Sequence, residues 1–184
     1  MIEGYTVSAE LPQIKVTVGA ALPGGMLLTA DDRTEVDSLE ALQTVINSAT
    51  EDINIKLSDS YSTTTGTLTI GGAVNVTLDL NGKTIDGGAD TCITHNGSGN
   101  LTIQNGNVLA NTSVSSAAIQ LTSSGGFILK DVMVENFNGY GFISSKDSSG
   151  DVTIQGGKVI AGKNAAISME GQGKLDVSGA TLER

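Results

Sequence analysis

Leu101-Thr-Ile-Gln-Asn-Gly-Asn-Val108 returns, with its apolar first, third and eighth positions intact, as Phe127-Ile-Leu-Lys-Asp-Val-Met-Val134, Val152-Thr-Ile-Gln-Gly-Gly-Lys-Val159 and Leu175-Asp-Val-Ser-Gly-Ala-Thr-Leu182. The four segments start 26, 25 and 23 residues apart. A second series lies between them: Cys92-Ile-Thr-His95, Ala118-Ile-Gln-Leu121, Phe142-Ile-Ser-Ser145 and Ala166-Ile-Ser-Met169. Its isoleucines Ile93, Ile119, Ile143 and Ile167 read in register at spacings of 26, 24 and 24. Two interleaved series with one period make each repeat a coil of short strands, every strand stacked on its counterpart in the next coil. The reading is a parallel β-solenoid. One coil of about 25 residues cannot bury its apolar positions alone, whereas stacking at ~4.8 Å builds a continuous core. Period-two alternation turns the aligned residues inward.

The segments around the repeats extend this reading. Asn-Gly pairs at Asn81-Gly82, Asn96-Gly97, Asn105-Gly106 and Asn138-Gly139 mark corners, where a positive φ is cheap for these residues. Val76-Thr-Leu-Asp-Leu80 with Asn81-Gly-Lys-Thr-Ile85 reads as an earlier member of the first series shifted by one residue, so about five coils are expected. Upstream, Asp37 and Glu40 form a capping-box-like pair before Leu39, Leu42, Val45, Ile46 and Ala49, which recur at helical spacing. This predicts one short amphipathic helix, placed to cap the solenoid before the strand-like runs Ile53–Leu57 and Leu68–Ile70. Residues 1–35 differ in character: Tyr5 and Val7, then Ile14, Val16 and Val18 alternate, while Pro12 and Pro23 interrupt. They read as an N-terminal arm, an attachment segment with edge strands, ahead of a capped solenoid over residues 36–184.

Composition agrees and narrows the partners. A chain of 184 residues, 39% hydrophobic, suits one domain with its own core. Its 24 glycines, 2 prolines and 16% charged residues fit a turn-rich β protein better than collagen, a coiled coil or a disordered chain. No apolar run reaches the ~18 residues a membrane span needs, so membrane insertion is not expected. The first residues carry no basic stretch followed by an apolar one, so neither is a signal peptide; with Met1 this leads us to expect cytoplasmic synthesis before assembly. A net charge of −10 repels phosphate backbones, so nucleic acid is not an expected partner. Cys92 is the only cysteine, and no intrachain disulfide can form.

The run from Val36 to Ile85, a short helix, strand-like runs and then Val-Thr-Leu-Asp-Leu-Asn-Gly-Lys-Thr-Ile, resembles the N-terminal opening of right-handed parallel β-helix proteins of the pectate-lyase-like superfamily. The resemblance covers residues 36–184. It implies an all-β, right-handed parallel β-helix with a short N-terminal capping α-helix. Polysaccharide lyases and hydrolases, bacterial surface adhesins and phage fibre or spike subunits share that fold, so the residues have to choose among them.

Pectate lyases of the superfamily use calcium together with a basic residue, usually arginine, that takes a proton. The arginines here, Arg33 and Arg184, lie outside the repeated wall, which leaves Lys130, Lys146, Lys158, Lys163 and Lys174 as the basic candidates. Polygalacturonase-like members carry clustered aspartates and a Gly-His-Gly. Asp31-Asp32 and Thr94-His95-Asn96-Gly97 depart from that pattern. No catalytic residue is therefore assigned. His95, the sole histidine, reads as a wall or core residue beside a turn, with general base or metal ligand as its sharper alternative. Cys92 reads as packing, and as a nucleophile only against the odds of a lone thiol. Asp86/Asp90 and Asp147/Asp151 are the calcium candidates, and both read first as solvated turns, so no metal and no cofactor are expected.

Phe127, Phe137, Tyr140 and Phe142 fall within one coil. They read either as a packed aromatic layer or as an exposed patch that meets a receptor, a glycan or a neighbouring subunit, and they are the partner-binding candidates. A Thr-rich ice-binding face is set aside because Thr-x-Thr does not recur in register. The sequence therefore leads us to expect a non-enzymatic structural or attachment protein: a homo-oligomeric, trimeric assembly subunit of a phage particle, such as a head or tail fibre, spike or decoration protein. A module of a secreted bacterial surface adhesin is the first alternative and a degenerate polysaccharide lyase or glycoside hydrolase the second. Its place is then the virion, or otherwise the extracellular surface.

Overall fold

The structure, a computed structural model, describes residues 32–62 and 66–184. The chain divides after Asp32, and the unit Arg33–Arg184 is a right-handed parallel β-solenoid of about 6 turns. The arm expected over residues 1–35 lies outside the described residues except for its last four.

Strand β1 (Thr34–Val36) and helix α1 (Leu39–Ser48) precede the turns. The first turn is β2 (Ile53–Leu57), β3 (Tyr61–Ser62) and β4 (Leu68–Ile70), and the second is β5 (Val76–Asp79), β6 (Thr84–Asp86) and β7 (Ile93–His95). In the third and fourth turns the first two faces run as single ten-residue strands, β8 (Leu101–Ala110) and β10 (Phe127–Asn136), followed by β9 (Ala117–Leu121) and β11 (Tyr140–Ser144). The fifth turn is β12 (Val152–Gln155), β13 (Lys158–Ala161) and β14 (Ile167–Met169), and the sixth is β15 (Leu175–Ser178) and β16 (Thr181–Glu183).

Among the described residues every ladder is parallel, and the first series stacks as its spacing predicts. Leu101 pairs with Phe127, Phe127 with Val152 and Val152 with Leu175, while Val108, Val134, Val159 and Leu182 form the matching column on the second face. These columns, with Ile55, Leu78, Ile103, Leu129 and Ile154, make one continuous apolar core.

Three expectations are corrected. About six turns replace five, because Ile53–Ile70 closes a full turn below the recognised repeats and pairs directly with the second. The shift at Asn81 is two residues: Asp79 faces Gln104 but Thr84 faces Asn107, so the second turn carries a longer corner. In the second series Ile119 pairs with Phe142, not Ile143, and Phe142 with Ile167. Side chains alternate between faces, so this one-residue slip puts Phe142 in the core and turns Ile143 to the other side. Ser144, rather than Ser145, then continues the column of His95 and Leu121.

Corners use glycine and asparagine for two different reasons. Between the first and second faces a left-handed residue recurs in successive turns: Asn81 (φ 51°), Asn105 (59°), Asp131 (52°), Gly156 (69°) and Gly179 (65°). Gly97 and Gly139 are not left-handed. A Cβ there would collide with the backbone of Gly72 and the carbonyl of Ser116 in the turn below, so these glycines serve close stacking. On the edge leading into the first face, side chains accept amides from the next turn: Asn75 N–H donates to Asp52 Oδ1 (2.9 Å), Asn100 N–H to Asn75 Oδ1 (2.8 Å) and Gly126 N–H to Asn100 Oδ1 (2.9 Å).

The N-terminal end is closed. β1 pairs with β2, and α1 packs on β4 with Leu42 and Ile46 buried. The helix cap is Ser38, whose hydroxyl accepts the Ala41 N–H at 3.3 Å, in place of the expected Asp37–Glu40 pair. Ser38 stands one residue nearer the first free amides of the helix than Asp37 does.

Candidate functional site

The fourth turn carries the aromatic candidates, and the structure separates them. Phe127 opens β10 and Phe142 lies in β11, both inward, with ring centroids 5.1 Å apart and the rings tilted by 38°. Both are fully buried, so neither offers surface to a partner. Tyr140 is half-buried, and Phe137, on the corner between the second and third faces, is 58% exposed. Phe127 and Phe142 thus belong to the packed layer, and only Phe137 remains an exposed aromatic of this group.

The corner that holds Phe137 is built around buried Asn136. Its amide donates to Thr112 Oγ1 (2.8 Å) and to the Tyr140 carbonyl (2.7 Å), and its Oδ1 accepts the amides of Thr112 (3.2 Å) and Asn138 (3.3 Å). A buried amide with all these partners fixes the corner. The neighbouring loop of the third turn exposes Val114 (46%), whose carbonyl accepts from Asn164 two turns on. Val114 and Phe137 therefore project from successive turns on the same corner.

A second apolar surface lies at the C-terminal turn. Leu175, Val177 and Leu182 are 41%, 37% and 45% exposed. Each stands in register on a core residue, Val152, Ile154 and Val159, so they occupy inward positions with nothing above them in the described chain.

The polar candidates are dispersed. Asp86 accepts the Gly88 amide at 2.9 Å in its own turn, and Ser62 donates to it at 3.4 Å, while Asp90 is exposed. Asp151 accepts the Lys174 amide at 2.8 Å, and Asp147 is exposed. Among the described residues no group of three or more His, Cys, Asp or Glu is placed to hold one metal ion. Lys158 pairs with Glu183 at 2.7 Å, while Lys130, Lys146, Lys163 and Lys174 lie on the exposed surface. Arg33 binds Asp79, a buried carboxylate that also accepts from Gln104 (3.3 Å), Asn105 (3.3 Å) and the Asn81 amide (2.8 Å). This network ties the segment before β1 to the second and third turns. Its sequence signal is faint, because Asp79 occupies an outward position where a solvated acid is ordinary.

Cys92 is buried at the corner entering β7, its thiol 3.8 Å from the Ile85 carbonyl. Burial, with the Asp86 charge beside it, pushes the thiol well above its usual range, so it is not a thiolate near neutrality. His95 is buried in the interior column. Its Nδ1 donates to the Ile70 carbonyl at 3.2 Å, and its Nε2 has no hydrogen-bond partner among the described residues.

No protein-family model, no curated protein and no solved structure matches this chain.

Proposed function

We propose that the chain is a non-enzymatic structural or attachment protein of the pectate-lyase-like kind, a subunit that assembles with copies of itself into a larger particle such as a phage fibre, spike or decoration element. The observation that carries this reading is the corner of the fourth turn, where Phe137 stands 58% exposed beside the fully hydrogen-bonded Asn136. An aromatic ring left exposed on a fixed corner suits contact with another surface. In this reading the solenoid supplies a rigid body and the Phe137 corner faces a neighbouring copy, a receptor, a surface glycan or the particle.

The test is the solution mass of the full chain by light scattering over a range of concentrations, beside Phe137→Ser. A trimer or larger assembly that Phe137→Ser weakens, while both chains keep the same circular dichroism, supports the reading. A folded monomer at every concentration sinks it and favours a module of a surface adhesin.

A further inference from the structure

We propose that His95 makes the joint between the second and third turns acid-sensitive: the core accommodates its ring uncharged, and a proton on Nε2 drives the stack apart. His95 occupies the inward column of the third face, directly between Ile70 below and Leu121 above. It is 1% exposed. With Nδ1 donating to the Ile70 carbonyl, the Nε2 lone pair has no donor among the described residues. The backbone binds on both sides of the ring, since Thr122 N–H donates to the His95 carbonyl at 2.9 Å.

Among the described residues no counter-charge faces it. In the flanking strands β4 holds Leu68, Thr69 and Ile70, and β9 holds Ala117, Ala118, Ile119, Gln120 and Leu121, none of them ionisable. The corners over residues 71–75, 96–100 and 122–126 carry no ionisable side chain either. In the shared core β5 and β8 contribute Val76, Leu78, Leu101 and Ile103. The one acid on those strands, Asp79, is engaged by Arg33, Gln104 and Asn105. Cys92, three residues before the histidine, has a thiol that burial keeps protonated. An imidazolium here would be a buried charge with no counter-charge, its only acceptors the neutral carbonyls of Ile70 and Gly99.

Burial accordingly holds the His95 pKa below its ordinary 6.5, against a smaller opposite pull from the carbonyls of Ile70 and Gly99. The sign follows. Above pH 6.5 the ring is neutral in both folded and unfolded chains and contributes nothing to the pH dependence. Below 6.5 the unfolded chain takes up the proton first, so stability falls as the pH drops from 6.5 towards the folded midpoint.

Two measurements test this. The first is the ring-proton titration of His95, the only histidine, by NMR in the folded full-length chain. A midpoint below 6.5, or no titration before unfolding, is expected; a midpoint at or above 6.5 overturns the proposal. The second compares urea unfolding at pH 7.5 and pH 5.5. The wild-type unfolding constant should rise up to roughly tenfold more than that of His95→Leu, which continues the Leu121 column, or of His95→Gln, should the leucine variant fail to fold. Equal pH dependence in wild type and the folded variant overturns it.

Discussion

Gln43 binds the backbone of Thr69 twice: its Nε2 donates to the Thr69 carbonyl at 2.8 Å, and its Oε1 accepts the Thr69 N–H at 2.9 Å. Thr69 is the middle residue of β4, which pairs with β7 on one side and, among the described residues, with no strand on the other. A side-chain amide carries the same donor and acceptor as a peptide group, so Gln43 takes the place of the missing strand. Gln43→Ala should cost about 1–3 kcal/mol, because a partly buried donor and acceptor both lose their partners. Gln43→Glu should recover only part of that, since it keeps an acceptor for the amide and loses the donor for the carbonyl. Urea unfolding of the three chains checks the order; an alanine variant as stable as wild type would show that water replaces the amide without loss.

The glycines of the corner before the first face make a sharper contrast. Gly99, Gly125, Gly150 and Gly173 stand one per turn, and a Cβ on Gly125, Gly150 or Gly173 would strike the backbone of the preceding glycine in the column. Gly150→Ala should therefore destabilise by several kcal/mol, since carbonyls on a stacked ladder cannot step aside. Gly72 has φ 90° but nothing within 4 Å of its missing Cβ, so Gly72→Ala should cost only the conformational strain, about 1–2 kcal/mol. Thermal unfolding of both variants decides whether steric stacking or backbone conformation sets the glycine content. Equal shifts would refute the distinction.

The fold was legible because the core repeats with the chain. The columns through Leu101 and Val108 need only a period and a parity, and both survive in every turn from the third to the sixth. The slip at Phe142 arose where Phe-Ile-Ser offers two adjacent apolar residues, and the fourth turn reaches its third face through a shorter corner than the third turn does. Spacing alone cannot tell which of two neighbours faces inward when the corner length changes. Parity does place Phe127, which stands at the first position of an inward series. Asn136 and Asp79 were opaque for another reason: their burial depends on partners from other turns, Thr112 for the first and Arg33 with Gln104 for the second. The candidate surface was half legible, since which aromatics share a coil follows from sequence but which side of the wall they occupy does not.

Asp131 is the residue of the left-handed column with least reason to tolerate it. Its counterparts are Asn105 below and Gly156 above, both better suited to positive φ. Asp131→Asn should leave stability unchanged or slightly raised. Asp131→Val should lose about 1–2 kcal/mol, because a β-branched side chain crowds the backbone there. The residue is exposed, so packing contributes little to either change. Chemical denaturation resolves the two, and a valine variant as stable as the asparagine one would contradict the conformational argument.

Phe127 and Phe137 separate folding from attachment. Phe127 is fully buried against Phe142, and Phe127→Ala leaves a void the stacked backbone cannot close, so a loss of about 3–5 kcal/mol is expected. Phe137 is 58% exposed on a corner that Asn136 fixes independently. Phe137→Ser removes an aromatic surface without opening the core, and its unfolding free energy should stay within about 0.5 kcal/mol of wild type. If this corner is the contact surface, the serine variant folds normally and loses retention on an array of cell-surface glycans or on assembled particles. If instead its stability drops as far as that of Phe127→Ala, Phe137 is holding the corner together, and the contact surface has to be sought elsewhere on the solenoid.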